Sequence, residues 1–301
     1  MAKAKIREYR IPLMRKEKVF YAVNGLFLTL FFITTLYPLL CLISSAISEP
    51  TAVYTGRVTF YPVGFSLRGF EINLQNINLL NGFKNSVIYT VLGTALIVSV
   101  TMVTAFALSR RELIGRSAIS FFFAFTMWFS GGLIPFFLLV RDLGMYNTIW
   151  AVIIPGVVNV WYIIVCRTYI NSTISEEMFE AASIDGCGYF RFLWQMVLPL
   201  STPVIAVLTL WAAIGHWNSY FNAMIFLQNK AMRPLQLFLR DYLIASNVVD
   251  MSNVDFTTES MGLQELVKNS MILLSVLPLW ILYPFIQKYF VSGIMVGAVK
   301  G

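Results

Sequence analysis

Residues 19–48 contain no charged side chain. A run of that length exceeds the roughly 20 residues a helix needs to cross a bilayer, and it is too long for the apolar core of a signal peptide. It predicts an uncleaved first transmembrane helix, bent at Pro38. Charge-free runs recur at 85–109, 117–140, 143–166, 192–229 and 269–287. Backbone polar groups in hydrocarbon must pair within their own segment, so each run is read as helix. The expected fold class is all-α, a polytopic membrane protein with six transmembrane helices.

Composition agrees: 58% of the residues are hydrophobic and only 12% charged, against roughly 25% charged in a soluble domain. The expected division is a cytoplasmic N-terminal tail at 1–18, a six-span transmembrane domain at 19–290 and a cytoplasmic C-terminal tail at 291–301. Two outer loops are expected, a polar one at 49–84 and a second at 230–268, whose acidic part could meet an external partner. The fifth run is longer than one helix, and its membrane part is placed from Ser201-Thr202-Pro203 onward.

The net charge of +7 is distributed by topology. Placing the tail, 110–116, 167–191 and the C-terminus inside puts 14 basic and 7 acidic residues there, leaving 8 of the 22 basic and 8 of the 15 acidic residues outside. The excess of Lys and Arg predicts that both termini and the 172–199 loop are cytoplasmic. The basic residues are not interleaved with aromatics on one surface, so no nucleic acid is expected. Cys41, Cys166 and Cys187 suggest no disulfide framework, and a lone His216 offers no metal site. No Gly-x4-Gly-Lys-Ser/Thr loop is present, and the spans hold no Asp, Glu, Lys or Arg well inside them. Both a nucleotide site on this chain and ion-coupled secondary transport are therefore disfavoured. So is a membrane enzyme, for want of convergent acids and bases.

Between the fourth and fifth runs lies Glu180-Ala181-Ala182-Ser183-Ile184-Asp185-Gly186, followed by Met196-Val197-Leu198-Pro199. Ser172-Thr173 offers a helix N-cap, with Thr173 and Glu176 at capping-box spacing and Glu177 in the first turn. Gly186 stands where a left-handed C-terminal residue is wanted. A second short helix is expected from Tyr189 to Val197, with Arg191 and Gln195 on one side and Pro199 closing it. Two short helices outside the membrane make a knob. On it, the small Ala181-Ala182 pair admits another surface closely and Glu180 offers a charge to a basic partner.

Gly131-Gly132 with Pro135, Pro155-Gly156, and Pro278 with Pro284 interrupt helices three, four and six. They read either as hinges for alternating access or as ordinary kinks. The fifth run carries His216-Trp217-Asn218-Ser219-Tyr220-Phe221-Asn222, and the fourth carries Trp161-Tyr162. Trp217, Asn218, Tyr220, Asn222, Trp161 and Tyr162 are candidates for a substrate pathway, since rings and amides suit the apolar faces and hydroxyl rims of sugars. The alternative for Trp217 and Tyr220 is an interfacial aromatic belt.

The loop pattern, Glu-Ala-Ala, three residues, Gly, nine residues, an apolar residue, one residue, Leu-Pro, resembles the signature loop of ABC-importer membrane subunits. Met196 replaces the usual isoleucine. With the six spans, Arg167 before the loop, Trp217-Asn218-Ser219-Tyr220, and the terminal Gly297-Ala298-Val299-Lys300-Gly301, the chain is similar to carbohydrate permeases of the maltose-transporter type and to complex-oligosaccharide permeases. The resemblance implies a type I ABC-importer permease fold and an oligosaccharide as solute; a permease for a non-sugar solute stays open. It implies that Glu180, Ala181, Ala182, Asp185, Gly186, Leu198 and Pro199 couple the chain to an ATPase, and that Val299, Lys300 and Gly301 touch that ATPase. The implied partners are a second permease subunit in a heterodimer, a dimer of ATP-binding subunits carrying ATP and Mg, an extracytoplasmic sugar-binding protein and membrane lipid. No cofactor or enzymatic activity is expected on this chain itself, and its expected place is the plasma membrane of a prokaryote.

Overall fold

A computed structural model describes residues 14–249 and 258–298. Its helices run in order as α1 (Arg15–Ala46), α2 (Pro50–Tyr54), α3 (Arg68–Gln75), α4 (Ile77–Ser109), α5 (Arg116–Trp128), α6 (Leu133–Asp142), α7 (Trp150–Ile153) and α8 (Val160–Thr173). There follow α9 (Glu176–Ile184), α10 (Tyr189–Phe192), a π-helical turn (Leu193–Val197), α11 (Leu198–Leu200), α12 (Thr202–Trp217), α13 (Phe221–Phe226), α14 (Leu235–Val249) and α15 (Thr258–Ala298). Among the described residues the only strand-like pairing is an isolated bridge between Ser48 and Phe65.

Three of these helices, α1, α4 and the 258–284 part of α15, are long and apolar enough to cross a membrane by themselves. Two bent pairs, α5 with α6 at 117° and the 189–200 stretch with α12 at 82°, have the length and apolarity of a span only when each pair is taken together, as a broken span or a re-entrant loop. The first bend falls at Ser130-Gly131-Gly132, where Gly132 takes φ 87°. The fourth charge-free run gives no helix of spanning length. Gly144 and Asn147 turn left-handed at φ 70° and 57°, and Pro155 with Gly156, at φ 86°, separates α7 from α8.

Other boundaries differ from those read in the sequence. Absence of charge marks what hydrocarbon tolerates, whereas a helix ends where its backbone bonds end. So α4 begins eight residues before the charge-free run, and the outer segments are not simple polar loops but contain α2, α3 and α14. Helix α15 continues unbroken through Pro278 and Pro284, each of which removes a single N–H that the rest of a long helix tolerates. It also continues through 291–298, which were expected to be tail. At the other end α1 starts at Arg15, where the Met14 amide donates to Glu17 Oε2 at 2.7 Å.

The chain divides into two compact units. In the first, residues up to Phe70 associate with 255–270. Gly262 lies against the Pro50 carbonyl with no room for a Cβ, and Arg68 pairs with Glu259 at 3.5 Å.

The second unit, 71–254 with 271–301, is built around α4. One core joins Met102, Ala105 and Phe106 of α4 to Ile163, Cys166 and Ile170 of α8, Phe179 of α9, Phe192 of α10 and Val204 and Leu208 of α12. Gly93 of α4 lies so close to the His216 ring of α12 that any side chain there would collide with it. Nearer its N-terminus α4 holds the segment before α14. Asn85 Nδ2 donates to the Ala231 carbonyl at 2.8 Å, Tyr89 Oη to the Met232 carbonyl at 2.7 Å, and the Leu235 amide to Ser86 Oγ at 2.9 Å.

Candidate docking site

Helix α8 runs through Ser172 and Thr173, so the N-cap of α9 is Ser175 rather than either of them. The expected capping box is therefore absent. Helical bonding persists through both hydroxyl residues, and the apolar face carrying Ile170 is continued by the buried C-cap residue Ile174. The Ser175 hydroxyl and the amide of Glu177 donate to the Glu177 carboxylate and hold it below its usual pKa. A charge there faces the positive end of α9.

The other end of α9 closes as expected. Gly186 takes φ 77°, the Cys187 amide donates to the Ala182 carbonyl at 2.9 Å and the Gly186 amide to the Ser183 carbonyl at 3.0 Å. That bond pair is a Schellman motif with Gly186 at the left-handed position. The second helix differs from expectation. It runs as α10, the π-turn and α11 without a break, and Pro199 lies inside α11 instead of ending it. Pro199 has no N–H to return to the preceding turn, and the helix widens there into the π-turn. The expected proximity of Arg191 and Gln195 is observed as an Nε to Oε1 bond of 3.0 Å.

From α9, Phe179 reaches furthest into the core that joins the knob to the membrane helices. Phe179 is 7% exposed, stacks on Tyr189 at 5.1 Å and meets Phe192 edge-on at 5.0 Å. Above it sits Arg110, the residue that follows α4. Arg110 is 4% exposed, with its Cζ 5.1 Å from the Phe179 centroid and 5.3 Å from that of Phe106. Arg111 adds an ion pair to Glu176 at 3.3 Å; with the Arg111 side chain largely in solvent this contributes about 0–1 kcal/mol. Neither Arg110 nor Phe179 was singled out from the sequence. The i, i+4 spacing of Phe106 and Arg110 carried a local signal, but the contact with Phe179 crosses two helices.

With Phe179 turned inward, Glu180, Ala181 and Asp185 are exposed, and Ala182 is half-buried. Glu180 makes no ion pair among the described residues. Ile184 is 87% exposed, an apolar side chain beside a free carboxylate. Such a surface suits a protein groove with a cation at its rim. Leu198 is half-buried against the core and Pro199 is exposed.

The six candidates for a substrate pathway are not alike. Trp217 is 4% exposed, donates from Nε1 to the Ser275 carbonyl at 2.9 Å and meets Phe83 edge-on at 5.5 Å. Its ring packs inside the unit. Tyr162 is half-buried beside Trp211, and Asn222 is half-buried. Trp161, Asn218 and Tyr220 are exposed, with Arg240 Cζ 5.7 Å from the Tyr220 ring. Val299, Lys300 and Gly301 lie outside the described residues.

Residues 106–296 match the family described as the inner membrane component of binding-protein-dependent transport systems. The polygalacturonan/rhamnogalacturonan transport system permease protein YtcP of Bacillus subtilis is 33% identical over 95% of this chain and 100% of its own length. The maltodextrin transport system permease protein MalD of Streptococcus pneumoniae is 27% identical over 95% of this chain and 98% of its own. Among solved structures, a bacterial ABC transporter involved in import of the acidic polysaccharide alginate contains a chain with TM-score 0.84. That chain is 34% identical, and the match covers 93% of this chain and 99% of it.

Proposed function

Since this chain belongs to the family of inner membrane components of binding-protein-dependent transport systems, a permease subunit with its ATPase on a separate chain, we propose that it passes an oligosaccharide across the membrane and takes its energy through the α9 knob. The observation that carries the coupling role is the anchoring of Phe179 beneath Arg110, which leaves Glu180 and Ala181 facing outward on a helix packed against the end of α4. A push on that surface by a partner reaches the α4, α8 and α12 core directly.

An oligosaccharide is favoured as solute by full-length likeness to permeases for maltodextrin and for polygalacturonan or rhamnogalacturonan. It also accounts for the amide and ring groups Asn218, Tyr220 and Trp161 left exposed near the spans. In this reading a substrate-binding protein delivers the solute on the outer side, and a second, unlike permease completes the pathway. Both termini lie in the cytoplasm, the side with the excess of Lys and Arg. In the same reading Val299, Lys300 and Gly301 touch the ATPase. The test is substrate-stimulated ATP hydrolysis by the assembled transporter with its binding protein, over a panel of maltodextrin, galacturonan, rhamnogalacturonan and alginate oligosaccharides. Stimulation by a member of the panel is the expected result. Stimulation by amino acids, peptides or phosphate, with none by any sugar, would overturn the solute assignment and leave the coupling role standing.

A further inference from the structure

Beside the knob, on the side away from Glu180 in sequence, lies a groove of about 590 Å³, within the roughly 300–1,000 Å³ typical of ligand clefts. Its walls are the last turns of α4 and the start of α10. Val103, Ala107, Phe190 and Leu193 supply an apolar lining, and two charged residues, Arg110 and Glu112, complete it. Neither charged group has an ion-pair partner among the described residues. Arg110 bonds through Nε to Ser109 Oγ at 3.2 Å, yet its buried Nη1 has no hydrogen-bond partner. Glu112 is exposed and makes no ion pair among the described residues.

The groove sits at the level where α4 leaves the apolar region, since its charge-free course ends at Ser109 and Arg110-Arg111 follow. Around it, Phe190 and Trp194 stand exposed, their rings 6.3 Å apart, and Ile114 is 93% exposed. Trp and Tyr side chains collect at membrane interfaces, here Trp194 and Tyr189, and basic pockets between spans on the cytoplasmic side hold lipid head groups. An occupant that offers an anion to Arg110, a cation to Glu112 and an apolar chain to the lining matches all three features of the groove.

We propose that the groove binds a zwitterionic aminophospholipid, its phosphate on Arg110, its ammonium on Glu112 and one acyl chain along Val103, Ala107 and Leu193. A purely anionic lipid satisfies Arg110 but leaves its charge beside Glu112. Because Arg110 also covers Phe179, the bound lipid steadies the anchor of the knob. Lipid composition thereby becomes an input to coupling.

The test is native mass spectrometry of the full-length chain, purified with its co-expressed partner subunits and titrated with phosphatidylethanolamine or phosphatidylglycerol. Expected is one tightly held phosphatidylethanolamine per chain, with at least tenfold preference over phosphatidylglycerol. Glu112→Gln, an exposed change that leaves the core intact, is expected to bring that preference below twofold. Ala107→Phe, which fills the groove from an exposed position, is expected to abolish retention. Equal retention of the two lipids by wild type, or undiminished retention in Ala107→Phe, would overturn the proposal. So would cross-linking of Ile114→Cys to a partner subunit, since the groove would then be a protein interface.

Discussion

The guanidinium of Arg110 lies over the ring of Phe179, its Cζ 5.1 Å from the ring centroid, and so ties the end of α4 to the middle of α9. A cation held between two rings and shielded from water is worth roughly 2 kcal/mol. Here it also avoids leaving a buried charge with no compensation. Phe179→Ala removes the lower ring and a buried phenyl group together, a loss of about 3–5 kcal/mol by analogy with other core phenylalanines. The expected outcome is a transporter that assembles poorly, with a clear drop in melting temperature. Phe179→Tyr keeps the ring and is expected to retain most function. Thermal unfolding of the two variants side by side checks this; equal stability of the alanine variant and wild type would remove the anchoring role.

At Gly186 the difficulty for any other residue is the backbone alone. Its φ is 77°, and a Cβ built there meets nothing within 4 Å. A left-handed conformation costs most L-residues about 1–2 kcal/mol, with asparagine the mildest. Gly186→Val is therefore expected to disturb the end of α9 and reduce transport severalfold, whereas Gly186→Asn remains close to wild type. The ranking of the two in an uptake assay is the check, because a steric role would penalise both.

Gly93 presents the opposite case, with φ ordinary and space absent. Any side chain there enters the imidazole of His216, and overpacking of this kind costs roughly 1–3 kcal/mol. Gly93→Ala is expected to destabilise the α4–α12 contact, and His216→Ala in the same chain to recover most of the loss. A double-mutant cycle reads the coupling directly; additive effects would mean that the two residues do not meet.

How much of this was legible beforehand depends on how local each feature is. The left-handed glycine, the Arg191–Gln195 pair and the helix break at Gly131-Gly132 rest on neighbours within a few residues, and the sequence showed them. The N-cap was misplaced from Ser175 to Ser172-Thr173 because several hydroxyl residues in a row compete for that role, and burial of Ile174 decides among them. Pro278 and Pro284 were expected to interrupt α15, yet a long helix tolerates the two missing N–H groups, and it runs past the charge-free stretch at both ends because a charged side chain does not end a helix. In fact Lys268 pairs with Glu265 at 3.2 Å on one face of the same helix. The Arg110–Phe179 contact joins residues distant in sequence, and no periodicity or motif reveals it. Trp217 shows the reverse error of emphasis. Its place in an aromatic cluster drew attention to ligands and belts, while its N–H serves a backbone carbonyl in α15.

The central claim is that the exposed surface around Glu180 transmits ATP hydrolysis to the membrane helices. Its most direct test is oligosaccharide uptake and ATP hydrolysis measured together in proteoliposomes containing the assembled transporter, for wild type and Glu180→Lys. Glu180 is exposed and unpaired among the described residues, so the exchange leaves the fold intact while reversing the charge offered to the ATPase. The account predicts at least a tenfold loss of uptake, with hydrolysis no longer stimulated by the solute. Uptake and stimulated hydrolysis at wild-type levels in Glu180→Lys would contradict it.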